Sequence, residues 1–287
     1  MPSYPETPPG WAELRRRRIG PFTTHVTYRR ADGGTAEWRS RAHRKHASLL
    51  SRGGHSGWWA PRHASWWIAM LFISGSVCFV VGPFPGLVQL IGAGADAALF
   101  FAGSLFFTAA AALQYLETIN ADRGSAGVGA RRRLRVLSFE PDRVDWWACA
   151  VQLVGTLLFN ASTYDALRSG LSTPQENRLI WAPDVLGCAC FLIASGLAWT
   201  EVCGGAFCRP RRQAEWWVAA LNLGGSVAFA AAGVASYFVP NTGDVLDLAA
   251  ANFMTVLGAL CFLAGAVGLL LEGVRARMPD ALLPARV

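Results

Sequence analysis

The sequence predicts an all-α integral membrane protein with six transmembrane helices. They are arranged as three parallel helical-hairpin repeats behind a small N-terminal cytoplasmic segment of β-hairpin character. Three observations predict this. Of 287 residues, 53% are hydrophobic and mean hydropathy is +0.29, which overrides the two-domain soluble expectation that length alone would give. Six uncharged stretches approach or exceed the ~17–20 residues that cross a bilayer as a helix. A tryptophan doublet opens every second stretch.

Residues 1–64 form a basic segment. Arg15, Arg16, Arg17 and Arg18 imitate the charged start of a secretory signal, but no apolar run of the ~7–15 residues such a signal needs follows them. The N-terminus is therefore expected to stay attached. From Phe22 to Arg44 the chain alternates as strands do around Asp32-Gly33-Gly34, with Thr24, Val26 and Tyr28 before the turn and Thr35, Glu37, Trp38 and Ser40 after it. About 60 residues so poor in aliphatics cannot bury a core alone, so this hairpin should lie on the helices or the lipid. All five histidines fall here, and His43 with His46, joined by Cys203 and Cys208, is the one zinc-like grouping. It lacks the paired-cysteine spacing of a zinc site. The strip from Ser40 to His46 reads equally as a basic surface against anionic lipid. No metal or cofactor is expected.

The spans run approximately Trp66 to Gly82, Ala97 to Leu116, Trp146 to Tyr164, Val185 to Thr200, Trp216 to Val239 and Leu248 to Leu271. In lipid each backbone amide must be satisfied within its own segment, so these are helices. They divide the chain into hairpin 65–117, a basic loop 118–143, hairpin 144–201, a loop 202–215, hairpin 216–272 and a tail 273–287. Twenty-four basic residues fall on the side of the termini and two, Arg168 and Arg178, on the other. Both termini should then face the cytoplasm of a bacterial inner membrane. The single lysine, Lys45, beside abundant Ala, Gly and Arg fits a high-GC bacterial source. The net charge of +7 reads as this inner surface facing anionic headgroups. A nucleic-acid partner is not expected, because the arginine run has no interleaved aromatics. The seven scattered cysteines argue against a disulfide framework.

The first helix of each pair carries Trp66-Trp67, Trp146-Trp147 or Trp216-Trp217. Eight residues beyond the second Trp come Gly75, Gly155 or Gly225, then Ser76, Thr156 or Ser226, and three further on Phe79, Phe159 or Phe229. The second helix ends in Glu117, Glu201 or Glu272, preceded by ten residues by Phe107, Phe191 or Phe262 and by fourteen by Gly103, Gly187 or Gly258. At 3.6 residues per turn Gly103, Phe106, Ala110, Leu113 and Glu117 share one face, as do Gly187, Cys190, Ala194, Leu197 and Glu201, and Gly258, Cys261, Gly265, Gly268 and Glu272, a stripe of mostly small residues with the pattern of a close helix seam in lipid. The Trp doublets read as interfacial anchors.

The hairpin with Gly75-Ser76 and Phe79 in one helix and Gly103-Ser104 with Phe106-Phe107 in the other resembles the YrhK-like domain family of small bacterial membrane proteins. Later copies drift to Gly155-Thr156 and Gly187-Cys188. The resemblance implies three tandem copies over about two thirds of the chain and implies no particular activity.

Three of the nine glutamates occupy the same repeat position. A carboxylate at a helix C-terminus opposes the macrodipole and needs compensation. Arg62, Arg143 and Arg212, just before each doublet, are the expected clamps, and the competing reading has Glu117, Glu201 and Glu272 converge to bind a cation or proton. Among polar residues at depth, Gln152 and Asn222 hold equivalent positions and are expected to bridge helices, as are Gln114, Asn160 and Asn252. No nucleophile-base pair or metal triad points to an enzyme. The leading expectation is a non-enzymatic membrane protein acting through packing, lipid or a protein partner, whose identity and oligomeric state stay open. The alternative is a channel or transporter for a small solute or ion, with the glutamates at its cytoplasmic mouth.

Overall fold

The computed structural model describes residue 7 and residues 9–40, 58–84, 86–120, 134–210 and 213–277. It is mostly helical, with a small sheet at the N-terminal end. Six long helices carry the fold: α1 Ala64–Val81, α2 Ala93–Ile119, α3 Val144–Asp165, α4 Ala182–Cys203, α5 Ala214–Ala235 and α6 Leu248–Arg277. A turn of α-helix, Thr173–Glu176, and a π-helical turn, Asn177–Trp181, lead directly into α4, so that the continuous helical run is Thr173–Cys203.

Five helices are long and apolar enough to cross a membrane: α1, α2, the run that ends in α4, α5, and Leu248–Glu272 of α6. The sequence reading has six. The difference is α3, which has 22 residues but dilutes its apolar stretch with Asp145, two tryptophans, Gln152 and Asn160. Like the others, α3 turns large apolar side chains outward: Leu157 stands beside Val77 of α1, Leu105 of α2, Ile193 of α4, Val227 of α5 and Leu260 of α6 among the exposed hydrophobics. In water so wide an apolar surface would be a liability.

The helices close into a ring. Each packs most extensively on its neighbours in sequence, and α6 returns to pack on α1. The seam inside each hairpin is set by a pair of glycines. A Cβ on Gly75 would stand 3.0 Å from the Gly103 carbonyl oxygen, one on Gly155 3.2 Å from that of Gly187, and one on Gly225 3.0 Å from that of Gly258. Backbones this close gain dispersion contacts that a side chain would prevent, which matters where lipid competes for apolar surface. Small hydroxyls and a thiol then join successive hairpins. Ser104 and Thr163 share a hydrogen bond of 2.9 Å between α2 and α3, and Cys188 donates to the Phe229 carbonyl at 3.2 Å between α4 and α5.

The N-terminal sheet has three antiparallel strands in the order β1 Ala12–Ile19, β2 Phe22–Arg29, β3 Thr35–Arg39. The expected hairpin is there, pairing His25 with Arg39 and Arg29 with Thr35 across a turn in which Gly33 takes a positive φ of 83°. Strand β1 was not expected. It contains the four-arginine run, whose uniform charge hides any alternation, and it forms an exposed edge of the kind that charge protects from further pairing. Within β1 Arg16 forms a 2.6 Å ion pair with Glu13, and that guanidinium keeps the Glu13 carboxyl below the usual glutamate range. Burial pushes the Tyr28 phenol up. Val26 and Tyr28 are buried, and β2 packs against α3.

One disulfide occurs among the described residues, between Cys203 and Cys208, whose Cα atoms are 5.3 Å apart. It is a single local bridge rather than a framework, and it fits because a short loop, five residues from one cysteine to the other, brings the two Cα atoms within bridging range.

Candidate functional site

The six phenylalanines of the repeat positions meet at the centre of the ring. Phe79, Phe159 and Phe229, from α1, α3 and α5, form a nearly equilateral triangle with centroid separations of 6.3, 6.2 and 5.9 Å. Phe107, Phe191 and Phe262, from α2, α4 and α6, attach to the same triangle, each 5.2 to 5.5 Å from its hairpin partner. Such tilted and edge-on pairs add about 0.5–1.5 kcal/mol each beyond area burial.

Above this aromatic floor lies a cavity of about 260 Å³ that reaches the helix ends bearing the Trp doublets. It is lined by all six rings. Its walls carry Gln114 of α2, Gln152 of α3, Ser195 of α4, and Asn222 and Ser226 of α5. At its mouth stand Glu117 and Glu272, ten residues or about 15 Å of helix from Phe107 and Phe262, together with His63. Among the described residues no lysine or arginine lines it. Glu117, Glu272 and His63 are each engaged in further polar contacts.

The three wall amides differ from expectation. Among the described residues none of the Gln114, Gln152 and Asn222 side chains hydrogen-bonds to another protein group, and all three face the cavity rather than bridge helices. Asn222 can lie flat against α6 because Gly265 has no side chain: a Cβ there would be 3.0 Å from the Asn222 Oδ1. The serines are satisfied locally, Ser195 by the Phe191 carbonyl at 2.7 Å and Ser226 by that of Asn222 at 2.9 Å.

The repeat glutamates are not equivalent. Glu117 and Glu272 line the cavity, whereas Glu201 does not and instead accepts a hydrogen bond from Ser40, at the end of β3. The arginines also differ. Arg143 is buried, donating to the Thr118 carbonyl at 3.1 Å and pairing with Glu140 at 2.7 Å and Asp145 at 2.5 Å. It thus ties the C-terminus of α2 to the start of α3 and sets a cation at a helix C-terminus, as the helix dipole favours. Arg62 is exposed and makes no ion pair among the described residues, and Arg212 lies outside them.

The tryptophan doublets do two jobs. In each, the rings are nearly perpendicular with centroids 4.9 to 5.0 Å apart. The first indole reaches back eight residues: Trp66 donates to the Trp58 carbonyl at 3.0 Å, Trp146 to that of Ser138 at 2.8 Å, and Trp216 to the Cys208 sulfur at 3.2 Å. These rings pin the incoming loop. Trp67 and Trp217 remain exposed, as anchors at a membrane surface would be, while Trp147 is half-buried. Among the described residues no cluster of three or more His, Cys, Asp or Glu could hold a metal; His43 and His46 lie outside them.

The spacing of the six phenylalanines was legible in the sequence, but that they share one floor was not. Ser195 carried no signal, and His63 was marked only as one of the five N-terminal histidines. Comparison of the chain with family models, curated proteins and solved structures gives no match. The fold itself defines the class: a multi-pass membrane protein whose membrane-length helices surround a largely apolar cavity with a few polar side chains on its walls.

Proposed function

We propose that this protein binds a small solute in the central cavity and passes it across a bacterial inner membrane, without chemistry upon it. The cavity carries this reading. Three half-buried primary amides with unused hydrogen-bonding capacity, set in the walls of a helix bundle, favour a cavity where water or a ligand meets them. At about 260 Å³ the space sits just under the ~300–1,000 Å³ usual for drug-sized ligands, so the solute is small. The aromatic floor closes the path beyond, making this a closed conformer open toward the Trp-doublet face.

On the same reading α3 is a sixth span, and the chain is three tandem copies of one YrhK-like hairpin. The outward apolar side chains of α3, the three glycine seams and the two sets of three phenylalanines support it. The basic asymmetry of twenty-four to two supports cytoplasmic termini, with the cavity mouth and anionic lipid headgroups on that side. The tight glycine seams favour a second reading, in which the protein acts only through packing, lipid or a protein partner.

Swelling of proteoliposomes in small cationic, neutral and anionic solutes separates the two. Entry of at least one solute faster than into protein-free liposomes, lost in Gln152→Leu, is expected. Entry at the protein-free rate for every solute contradicts transport and leaves the second reading.

A further inference from the structure

We infer that the solute of the central cavity is an uncharged single-ring amphipath, its ring laid on the phenylalanine floor and its hydroxyl, carbonyl or carboxamide head held by the three wall amides. This rests on the solute-binding reading and adds the charge, shape and size of the solute.

The repeat sets a polar collar above an apolar seat. Gln114 stands seven residues from Phe107 on α2, Gln152 seven from Phe159 on α3, and Asn222 seven from Phe229 on α5. Seven residues are about 10 Å of helix, so the three amides ring the cavity at one height, about two turns above the floor. Among the described residues each carboxamide faces the cavity with its donors and its acceptor unused. Beneath the collar Ser195 and Ser226 donate to carbonyls of their own helices at 2.7 and 2.9 Å. What is left for a solute at that depth is the six phenyl rings.

The absence of charge follows from the sequence of the walls. None of the six apolar stretches contains an Asp, Glu, Lys, Arg or His. An ion at the level of the collar or the floor loses water with no opposite charge beside it, the costliest form of burial. Glu117 and Glu272 stand ten residues from Phe107 and Phe262, at the mouth rather than at the seat, and both are engaged with other groups. Carboxamides donate and accept alike, so they serve a neutral head without a counter-ion.

Shape and size come from the floor and the volume. The rings pair tilted and edge-on at 5.2 to 6.3 Å, and a flat ring in the solute extends the same packing. An apolar protein cavity of about 150 Å³ takes a benzene ring, so the 260 Å³ here has room for about ten non-hydrogen atoms, one ring with a short head.

Benzamide, benzylammonium, benzoate and toluene share a ring and differ in the head, and are the probes. Binding of each to the full chain in nanodiscs at neutral pH is followed by calorimetric titration, with empty nanodiscs subtracting partition into lipid. Benzamide should bind saturably and about tenfold or more tighter than either ion. It should exceed toluene by about two- to tenfold, the scale of a hydrogen bond. Gln152→Leu with Asn222→Leu should bring benzamide down to the affinity of toluene and leave toluene bound; the thermal midpoint without ligand checks that the variant folds, and the ranking on the unaltered chain stands apart from it. Benzylammonium or benzoate binding within tenfold of benzamide overturns the uncharged assignment and leaves solute binding intact. Toluene binding as tightly as benzamide, or a benzamide advantage that survives in the double variant, overturns the collar. Absence of binding by all four, while any solute swells proteoliposomes faster than protein-free liposomes, overturns only this class of solute. Absence of both binding and swelling overturns it together with the reading it rests on.

Discussion

The rings of Phe79 and Phe229 stand 5.9 Å apart although their helices lie in the first and the last hairpin of the chain. With Phe159 they form the closure of the ring and the floor of the cavity, so one set of side chains bears stability and, on the transport reading, would also form the barrier to passage. Phe229→Ala should destabilise the bundle by about 3–5 kcal/mol, the range for Phe→Ala in a packed core, and Phe229→Leu by less. Unfolding in sodium dodecyl sulfate checks the order. If the floor is the barrier, the Ala variant should also leak solute faster at a temperature where it stays folded.

Gly103 and Gly196 are both helical, yet they should respond oppositely to alanine. A Cβ on Gly103 would come 2.8 Å from the Cys78 Cβ and 3.0 Å from the Phe79 ring, whereas one on Gly196 meets nothing within 4 Å. Gly103→Ala is expected to cost about 1–3 kcal/mol by overpacking. Gly196→Ala should be neutral or gain up to about 1 kcal/mol from helix propensity. Thermal midpoints of the two variants measure this directly.

Arg143 is buried between Glu140 and Asp145. Arg143→Met leaves two buried carboxylates without their cation and should cost about 3–5 kcal/mol. Adding Glu140→Gln and Asp145→Asn should recover most of that loss, because the uncompensated charge is gone. Additive losses in the triple variant would contradict an ion-pair origin.

Trp146 anchors the 134–143 segment through its indole bond to the Ser138 carbonyl. Trp146→Phe keeps the ring packing against Phe139 and removes only the donor, which should cost about 1 kcal/mol. Hydrogen exchange in residues 138–143 should rise while exchange in α5 stays unchanged.

Acid should loosen β1 before the helices. The Arg16 guanidinium lowers the Glu13 pKa in the folded sheet, so this pair stabilises the sheet above the ordinary glutamate range. That contribution is lost as pH falls through the depressed folded value. Exchange of β1 amides should therefore accelerate on acidification, and Glu13→Gln should flatten the dependence.

The helices were legible because hydropathy, charge boundaries and the Trp doublets all mark the same ends. The sheet was half legible: Asp32-Gly33-Gly34 announces a turn, but a strand of arginines announces nothing. The site was legible only as positions. Phe79, Phe107 and their equivalents recur at fixed spacing, yet spacing along a helix does not tell whether a face meets lipid, a neighbour or a cavity. Gln152 and Asn222 show the same limit, since a buried amide bridges helices or lines a hole depending on how far apart the walls stand. Glu201 departs from Glu117 and Glu272 for a reason far away in sequence, the arrival of Ser40.

Whether water reaches the central cavity is tested most directly by cysteine accessibility. The seven native cysteines are replaced, and a single cysteine is placed at Gln152 or at Val154, which is 50% exposed on the outer face of α3. Inside-out vesicles are then treated with a water-soluble, membrane-impermeant thiosulfonate. The account expects rapid labelling of Gln152→Cys and no labelling of Val154→Cys on the outward side of α3. An unreactive Gln152→Cys, or equal labelling of the two, would contradict it.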